Sequence, residues 1–164
     1  MKNKNKKLLL AASSGGHIVE LYSLKPFWKH YNRIWATYKT PQTISLLKDE
    51  TVIWLKHPTN VRKITDLPYA INSFINVLIL WYFMIKHNIT HVISTGAAPG
   101  VSAIWTAKIL FLGKIKSVFI ESLTRTKDLS FSGKLNYFIT DIFLVQWPQL
   151  AKKYRRVKYK GQVI

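Results

Sequence analysis

The sequence predicts an α/β domain in which helices cover both faces of a Rossmann-like parallel β-sheet. The first observation is that short apolar runs alternate with longer segments of helical period along all 164 residues. The second is that the run of residues 8–12 is apolar throughout, which is typical of a short buried strand. The third is that no internal repeat or interior linker divides the chain, so we expect one domain over residues 1–164.

Local signals place the elements in order along the chain. The basic segment 1–6 precedes the first strand and is expected to be a flexible arm. Asp66, followed by Leu67 and Pro68, is typical of a helix start, and that helix is expected to continue to about Lys86. The other helices are predicted at residues 17–29, 41–47, 101–112 and 129–140, with a short helical piece through 150–151. Strands are predicted at residues 7–12, 33–38, 51–55, 91–94, 117–121, 141–145 and 157–159.

Composition limits the classes of function. The absence of cysteine excludes disulfides and thiolate metal sites, and the five histidines show no metal-binding spacing beside a carboxylate, so we predict neither a metal nor a cofactor. A formal net charge of +18 predicts an anionic partner. Because 48% of the residues are hydrophobic and six are tryptophan, an anionic membrane surface is favoured over nucleic acid as that partner.

Glycine-rich turns follow two of the predicted strands. One is Ser13-Ser14-Gly15-Gly16-His17, and the other runs from Ser94 to Gly100. Free backbone N–H groups at a helix start suit phosphate, and glycine lets a ligand approach the backbone closely. A tight turn without a ligand is the alternative for the first segment. Neither turn matches the dinucleotide fingerprint or the Walker pattern.

A third loop follows the fifth predicted strand. It carries the carboxylate of Glu121, several hydroxyl groups and Arg125, although these two charges could simply form an ion pair. Ligands of parallel α/β sheets bind at the carboxyl ends of the strands, where all three loops are expected. The sequence therefore predicts one ligand site that the three loops share.

The segment 67–85 carries no charged residue and is apolar on all sides near its end. A buried core helix is one interpretation. We favour a helix that packs one face on the sheet and inserts an aromatic face, including Trp81 and Phe83, into the bilayer. Basic residues are expected to surround that face and meet anionic headgroups, namely Lys25, Lys29, Arg62, Lys63 and Lys86.

Five motifs of this chain occur in the same order in a known family. They are Ser13-Ser14-Gly15-Gly16-His17, Ser94-Thr95-Gly96, Glu121-Ser122, the segment 129–135 and Val145-Gln146-Trp147-Pro148. Over nearly its whole length the chain resembles the membrane-binding subunit of two-subunit GlcNAc transferases. That family includes the eukaryotic subunit of the dolichol-pyrophosphate pathway and bacterial relatives of the PssD, CpsF and EpsE type. More distantly, the glycine turns resemble the acceptor half of the peptidoglycan GlcNAc transferase MurG.

The resemblance implies the N-terminal, acceptor-binding half of a GT-B glycosyltransferase in polysaccharide biosynthesis. It implies a separate donor-binding subunit that supplies the UDP-sugar, and a polyprenyl-pyrophosphate acceptor at the cytoplasmic face of the membrane. The eukaryotic subunits carry an N-terminal transmembrane helix that this sequence lacks, so we expect peripheral or monotopic attachment through the basic and apolar surface. A non-catalytic membrane scaffold for the partner is the alternative.

The resemblance also assigns roles to residues of this sequence. His17 and Glu121 are expected to be catalytic, with phosphate contact as the alternative role of His17. The acceptor pyrophosphate is expected to contact Ser14, Gly15, Gly16, Thr95, Gly96 and Gly100, and the rest of the acceptor to contact Ser122 and Arg125.

Overall fold

Seven parallel strands form one sheet in the part of the chain that the computed structural model describes, residues 3–57 and 67–163. The strands are β1 (Asn3–Ala12), β2 (Tyr31–Tyr38), β3 (Val52–Leu55), β4 (His91–Gly96), β5 (Lys116–Ile120), β6 (Ile142–Val145) and β7 (Val157–Tyr159). The helices are α1 (Gly16–Ser23), α2 (Lys25–Trp28), α3 (Pro41–Leu46), α4 (Leu67–Lys86), α5 (Ala97–Ile109), α6 (Phe131–Asn136) and α7 (Pro148–Lys153). The spatial order is β3-β2-β1-β4-β5-β6-β7, so the predicted Rossmann-like parallel sheet is confirmed.

The core consists of two apolar layers, one on each face of the sheet. Successive side chains of a strand point to opposite faces, so Leu8 and Leu10 join one layer while Leu9 and Ala11 join the other. The helices between β1 and β3 supply the first layer, with residues such as Leu21. Helices α4, α5 and α7 supply the second through Leu80, Met84, Ile104 and Leu150. Helices therefore cover both faces, as predicted.

Several element boundaries differ from the predicted ones. Strand β1 begins at Asn3, so residues 3–6 belong to the sheet rather than to a flexible arm, and the register of β1 against β2 shifts between Asn3 and Lys7. The helix expected at 17–29 is two helices separated at Leu24, with Pro26 in the first turn of the second. The helix expected at 129–140 is shorter and begins after the N-cap Ser130, whose hydroxyl accepts a hydrogen bond from Gly133 N at 2.9 Å.

The pairing of β1 with β4 positions the two glycine turns. Their register runs from Leu8 opposite His91 to Ala12 opposite Gly96, so both strands end side by side. Helix α1 begins four residues after Ala12, and α5 begins directly after Gly96. The chain order reverses direction between these two strands, which is where open α/β sheets bind ligands. The predicted N-cap Asp66 and the side chain of Pro68 lie outside the described residues.

Candidate functional site

A cleft of about 540 Å³ lies at the carboxyl ends of β1 and β4. Its lining comes from α1, α4, α5, α6 and the loop after β5, and it includes His17, Arg125 and Phe131. A smaller cavity of about 280 Å³ lies near Lys7 and Arg33, at the opposite end of these strands. Because parallel α/β sheets bind ligands at the carboxyl ends of their strands, we take the larger cleft as the candidate site.

The first glycine turn exposes its backbone to open space. Gly15 is the N-cap of α1 with φ 86°, a left-handed conformation that favours glycine. A Cβ built at Gly15 or Gly16 would meet no atom within 4 Å. The N–H of Gly15 donates to Gln42 Oε1 at 2.7 Å, whereas the N–H groups of the first residues of α1 have no carbonyl partner within the helix. Ser14 is only half-buried in this turn. The turn therefore offers bare backbone donors beside the cleft.

His17 lines the cleft in a fixed orientation. Its Nδ1 lies 2.8 Å from the carbonyl oxygen of Thr95, and the Thr95 hydroxyl donates to the carbonyl of His17 at 2.6 Å. A carbonyl oxygen only accepts hydrogen bonds, so Nδ1 carries the hydrogen and the neutral ring is basic at Nε2. No hydrogen bond to Nε2 occurs among the described residues. His17 can therefore take a proton at Nε2.

Thr95 and Gly96 support His17 rather than lining the cleft themselves. Thr95 is fully buried, and both its hydroxyl and its carbonyl are bonded to His17. A Cβ at Gly96 would lie 3.2 Å from His17 Cε1 and 3.3 Å from Ser132 Oγ. The predicted contact of Thr95 and Gly96 with the pyrophosphate is therefore corrected. The Thr95 carbonyl and hydroxyl hold His17 in place by hydrogen bonds, and the absence of a Cβ at Gly96 leaves room for the imidazole ring.

Helix α5 begins earlier than the sequence indicates, and this changes the role of Gly100. The first residues of α5 are Ala97 and Ala98, which line the cleft, and their N–H groups are the free donors at this helix start. Gly100 lies buried within the helix, where a Cβ would be only 1.9 Å from Ser94 Oγ. Gly100 therefore does not contact pyrophosphate as expected. Its lack of a side chain instead allows α5 to pack closely on β4.

Glu121 lies beneath the site and not in it. Its side chain is fully buried, Oε1 accepts from Ser122 N, and Oε2 accepts from Ser130 N, both at 3.0 Å. Burial raises the pKa of this carboxyl group, although the Ser130 and Ser122 hydrogen bonds oppose the shift. A Cβ at Gly133 would lie 2.1 Å from Oε2, so α6 rests directly on the carboxylate. The geometry thus contradicts a catalytic role for Glu121 and gives it the role of fixing the start of α6.

The two predicted acceptor contacts have different surroundings. Ser122 is buried, and its hydroxyl donates to Glu20 Oε1 at 2.9 Å, so it does not face the cleft as expected. Arg125 is exposed and lines the cleft. It is the one lysine or arginine among the lining residues in the described chain. Arg125 therefore supplies the positive side-chain charge of the site.

Other lining residues were not assigned from the sequence. The hydroxyl groups of Ser102, Ser130 and Ser132 are of the kind that binds sugars and phosphates, and Val101 and Leu135 form an apolar wall. The motif at residues 129–135 does not by itself predict a contact with the cleft, because only the short α6 places Ser130 and Ser132 there. No sequence signal marked Ser102, which lies on the second turn of α5.

Helix α4 exposes an apolar stripe next to the cleft. We call this the α4 stripe, and its members are Ile71, Phe74, Leu78, Trp81, Tyr82 and Ile85. Ser73 of the same helix lines the cleft, while Leu80 and Met84 are buried in the core. Phe83 is turned toward the core and stacks on His87 at 5.8 Å between ring centroids, so its expected place in the bilayer-facing surface is wrong.

Basic residues surround the α4 stripe less completely than predicted. The ammonium group of Lys86 lies 5.7 Å from the ring centroid of Tyr82. Lys25 and Lys29 belong to α2 and its C-cap, and α2 packs on the opposite face of the sheet, so they do not surround the stripe. Arg62 and Lys63 lie outside the described residues. None of the helices in residues 3–57 and 67–163 combines the length and the apolar character that a membrane span requires.

Comparisons with known proteins agree on one family and one fold. The profile of a family described as "Oligosaccharide biosynthesis protein Alg14 like" matches residues 8–163. The UDP-N-acetylglucosamine transferase subunit ALG14 of Debaryomyces hansenii is 29% identical over 184 residues, which cover 98% of this chain and 78% of that protein. The same subunit of Eremothecium gossypii is 42% identical over 71 residues, which cover 40% of this chain but only 32% of that protein.

A solved structure extends the likeness to the fold. MurG from Acinetobacter baumannii superposes with a TM-score of 0.75 at 12% identity, and the superposition covers 96% of this chain. The chain spans 45% of the MurG chain. At this level of identity the likeness shows the shared fold alone, in which this chain corresponds to less than half of the larger molecule.

Proposed function

The chain belongs to the family of Alg14-like oligosaccharide biosynthesis proteins, and from that premise we propose that it is the acceptor-binding subunit of a two-chain glycosyltransferase. In this proposal the enzyme transfers N-acetylglucosamine from UDP-N-acetylglucosamine to a sugar carried on polyprenyl pyrophosphate. The reaction serves polysaccharide synthesis, capsule or exopolysaccharide, at the cytoplasmic face of the membrane. The observation that supports this most is the oriented imidazole of His17 in a cleft that also contains Arg125 and two helix starts.

The cleft suits a pyrophosphate group. Backbone N–H groups at the starts of α1 and α5 carry partial positive charge, which stabilises bound anions. The guanidinium of Arg125 adds a full charge that can bind phosphate oxygens in a bidentate manner. Gly15 and Gly16 leave open space where phosphate oxygens would approach the first of these helices. The apolar wall of Val101 and Leu135 suits the first part of the lipid.

His17 is the proposed general base. Its Nε2 takes the proton from the attacking hydroxyl group of the acceptor sugar while that oxygen bonds to C1 of the donor sugar. The bond from C1 to the UDP oxygen breaks, and UDP leaves with the bonding electrons. The Thr95 carbonyl holds Nδ1–H and stabilises the imidazolium that forms. General-base catalysis of this kind typically contributes roughly 10²–10⁴-fold in rate.

Because relatives of this chain are named as subunits of a UDP-N-acetylglucosamine transferase, we propose that a partner chain supplies the donor-binding half. This chain spans 45% of the MurG structure, and its sheet supplies one Rossmann-like unit. The cleft at the carboxyl end of the sheet is open, so a second domain placed over it would bring the UDP-sugar to His17. We propose that the UDP-sugar contacts mainly the partner and that the two chains form a heterodimer.

The α4 stripe is the proposed membrane contact. The stripe exposes three aromatic side chains of the kind that inserts at the interface of a bilayer, namely Phe74, Trp81 and Tyr82. Lys86 at the end of α4 can contact anionic headgroups. Ser73 joins the same helix to the cleft, so a lipid anchored in the bilayer would have its pyrophosphate close to His17. The net charge of +18 adds attraction to an anionic surface.

Reconstitution with the partner tests the proposal. The chain is co-expressed with its donor-binding partner and assayed with a panel of UDP-sugars and polyprenyl-pyrophosphate acceptors. We expect transfer from UDP-N-acetylglucosamine by the pair, none by either chain alone, and a loss of at least about 100-fold in kcat for His17→Ala. His30→Ala is the matched control, because His30 is exposed and lies outside the cleft. Full activity of the His17→Ala pair would reduce this chain to a scaffold.

A further inference from the structure

Arg125 is presented to the cleft by a loop that is fixed at several backbone atoms. The loop comprises residues 121–125, between β5 and α6, and the Arg125 N–H donates to Ser122 O at 3.0 Å. No carboxylate lies within ion-pair distance of the Arg125 guanidinium among the described residues. Arg125 acts on the buried carboxyl of Glu121 only electrostatically, opposing the rise in its pKa. The loop backbone therefore determines where the Arg125 side chain begins at the cleft.

One anchor of the loop is Glu20 of α1, a buried residue that does not line the cleft. Glu20 is 5% exposed, and its Oε1 accepts from Ser122 Oγ and from Leu123 N, both at 2.9 Å. Its Oε2 is buried without a partner in the described part of the chain. A buried carboxylate is unfavourable unless it is hydrogen-bonded, so these two bonds hold the loop and the carboxylate together.

The other anchors follow β6 and belong to the motif Val145-Gln146-Trp147-Pro148. The indole N–H of Trp147 donates to Leu123 O at 2.6 Å, and Gln146 Nε2 donates to Glu121 O at 3.0 Å. Both backbone polar groups of Leu123 are therefore bound by side chains from outside the loop, Glu20 from α1 and Trp147 from the end of β6. These bonds fix the backbone two residues before Arg125.

We propose that Glu20 and Trp147 are positioning residues that hold the loop in the shape that presents Arg125 to the acceptor pyrophosphate. This inference rests on the proposed function of the cleft, and neither residue lines the cleft. A loop that is ordered before binding does not lose conformational freedom on binding, so preorganisation increases affinity. Acceptor affinity therefore depends on two side chains that do not touch the acceptor.

Trp147→Phe tests the inference because it removes the indole N–H and keeps an aromatic ring. In the reconstituted pair we expect the acceptor KM to rise by about tenfold, kcat to change by less than about twofold, and the KM for UDP-N-acetylglucosamine to stay constant. Hydrogen exchange of residues 122–125 should become faster while the Tm stays close to that of the parent. Trp54→Phe is the matched control, because Trp54 is an exposed tryptophan on β3.

Two Glu20 variants test the second anchor. Glu20→Ala removes the acceptor of both loop bonds and should raise the acceptor KM in the same way. Glu20→Gln keeps an acceptor oxygen and should restore most of the parent KM. If Trp147→Phe does not fold, the two Glu20 variants still test whether the fixed loop positions Arg125.

Arg125→Ala separates this inference from the proposed function. If Arg125→Ala raises the acceptor KM, adding Trp147→Phe should raise it no further, because both changes remove the same contact. Additive effects, or a parent-like KM and exchange rate for Trp147→Phe, would overturn the positioning role and leave the proposed function standing. A parent-like KM for Arg125→Ala would instead overturn the acceptor contact itself, and this inference with it.

Discussion

Replacing Gly16 by alanine tests whether a ligand approaches the backbone at the start of α1. A Cβ at Gly16 would meet no atom within 4 Å, and Gly16 does not need a left-handed conformation. The free energy of unfolding should therefore stay the same or rise by about 0.4–1 kcal/mol, since alanine restricts the unfolded chain. A phosphate oxygen bound to this N–H would lie about 2.9 Å from the nitrogen. The added methyl group would hinder that approach.

The assay combines kinetics with unfolding. We expect Gly16→Ala to raise the acceptor KM by at least about tenfold, which corresponds to about 1.4 kcal/mol of lost binding, without loss of stability in urea unfolding. Gly100→Ala is the contrasting variant, because its Cβ would lie 1.9 Å from Ser94 Oγ. It should cost about 1–3 kcal/mol of stability by overpacking. A Gly16→Ala pair with the parent acceptor KM would refute the reasoning that the acceptor reaches this backbone.

Two further predictions concern the α4 stripe and the buried carboxyl group. Trp81→Asp with Tyr82→Asp should abolish sedimentation with anionic vesicles without lowering the Tm, whereas Phe83→Asp should destabilise the fold by roughly 2 kcal/mol or more, because Phe83 packs on the core. Burial raises the pKa of Glu121 above its ordinary value of 4.5, so the folded chain binds this proton more tightly than the unfolded chain. The contribution of Glu121 to the free energy of unfolding should therefore fall as the pH rises from 4.5 through the raised pKa. The free energy of unfolding, measured in urea across that range, should depend less on pH for Glu121→Gln than for the parent. An unchanged pH dependence would exclude a raised pKa of Glu121 as its cause.

The strands could be predicted because burial on both faces leaves a direct trace in the sequence. The apolar run of residues 8–12 is buried on both faces and has few alternatives to a central strand, and the alternation of such runs with helices indicates the parallel topology. In β6 burial alternates instead, with Phe143 and Val145 buried and Ile142 exposed. Helix starts were harder to predict. Gly96 and Ala97 both have positive φ, 119° and 57°, so α5 begins directly after β4. An alanine in that conformation gives no sequence signal.

Part of the candidate site could be predicted because it follows directly from the position of a buried strand. A glycine turn after a buried strand predicted where His17 lies, because the turn and the helix fix its place. Glu121 was predicted at the correct loop but with the wrong role. A carboxylate at a strand end can point into the cleft or beneath the next helix, and only packing decides. Trp81 and Phe83 are two residues apart on α4, which is about 200° around a helix, so they lie on nearly opposite faces and cannot both belong to the exposed stripe.

Ligand binding by this chain alone tests the central claim most directly. Isothermal titration of the purified chain with a short-chain polyprenyl-pyrophosphate sugar is compared with titration of UDP-N-acetylglucosamine. We predict that the acceptor analogue binds with a stoichiometry of about one per chain, that Arg125→Ala and Gly16→Ala weaken it, and that UDP-N-acetylglucosamine does not bind without the partner. If UDP-N-acetylglucosamine instead binds this chain more tightly than the acceptor analogue, and Arg125→Ala weakens that binding, the cleft is a donor site and the account is contradicted.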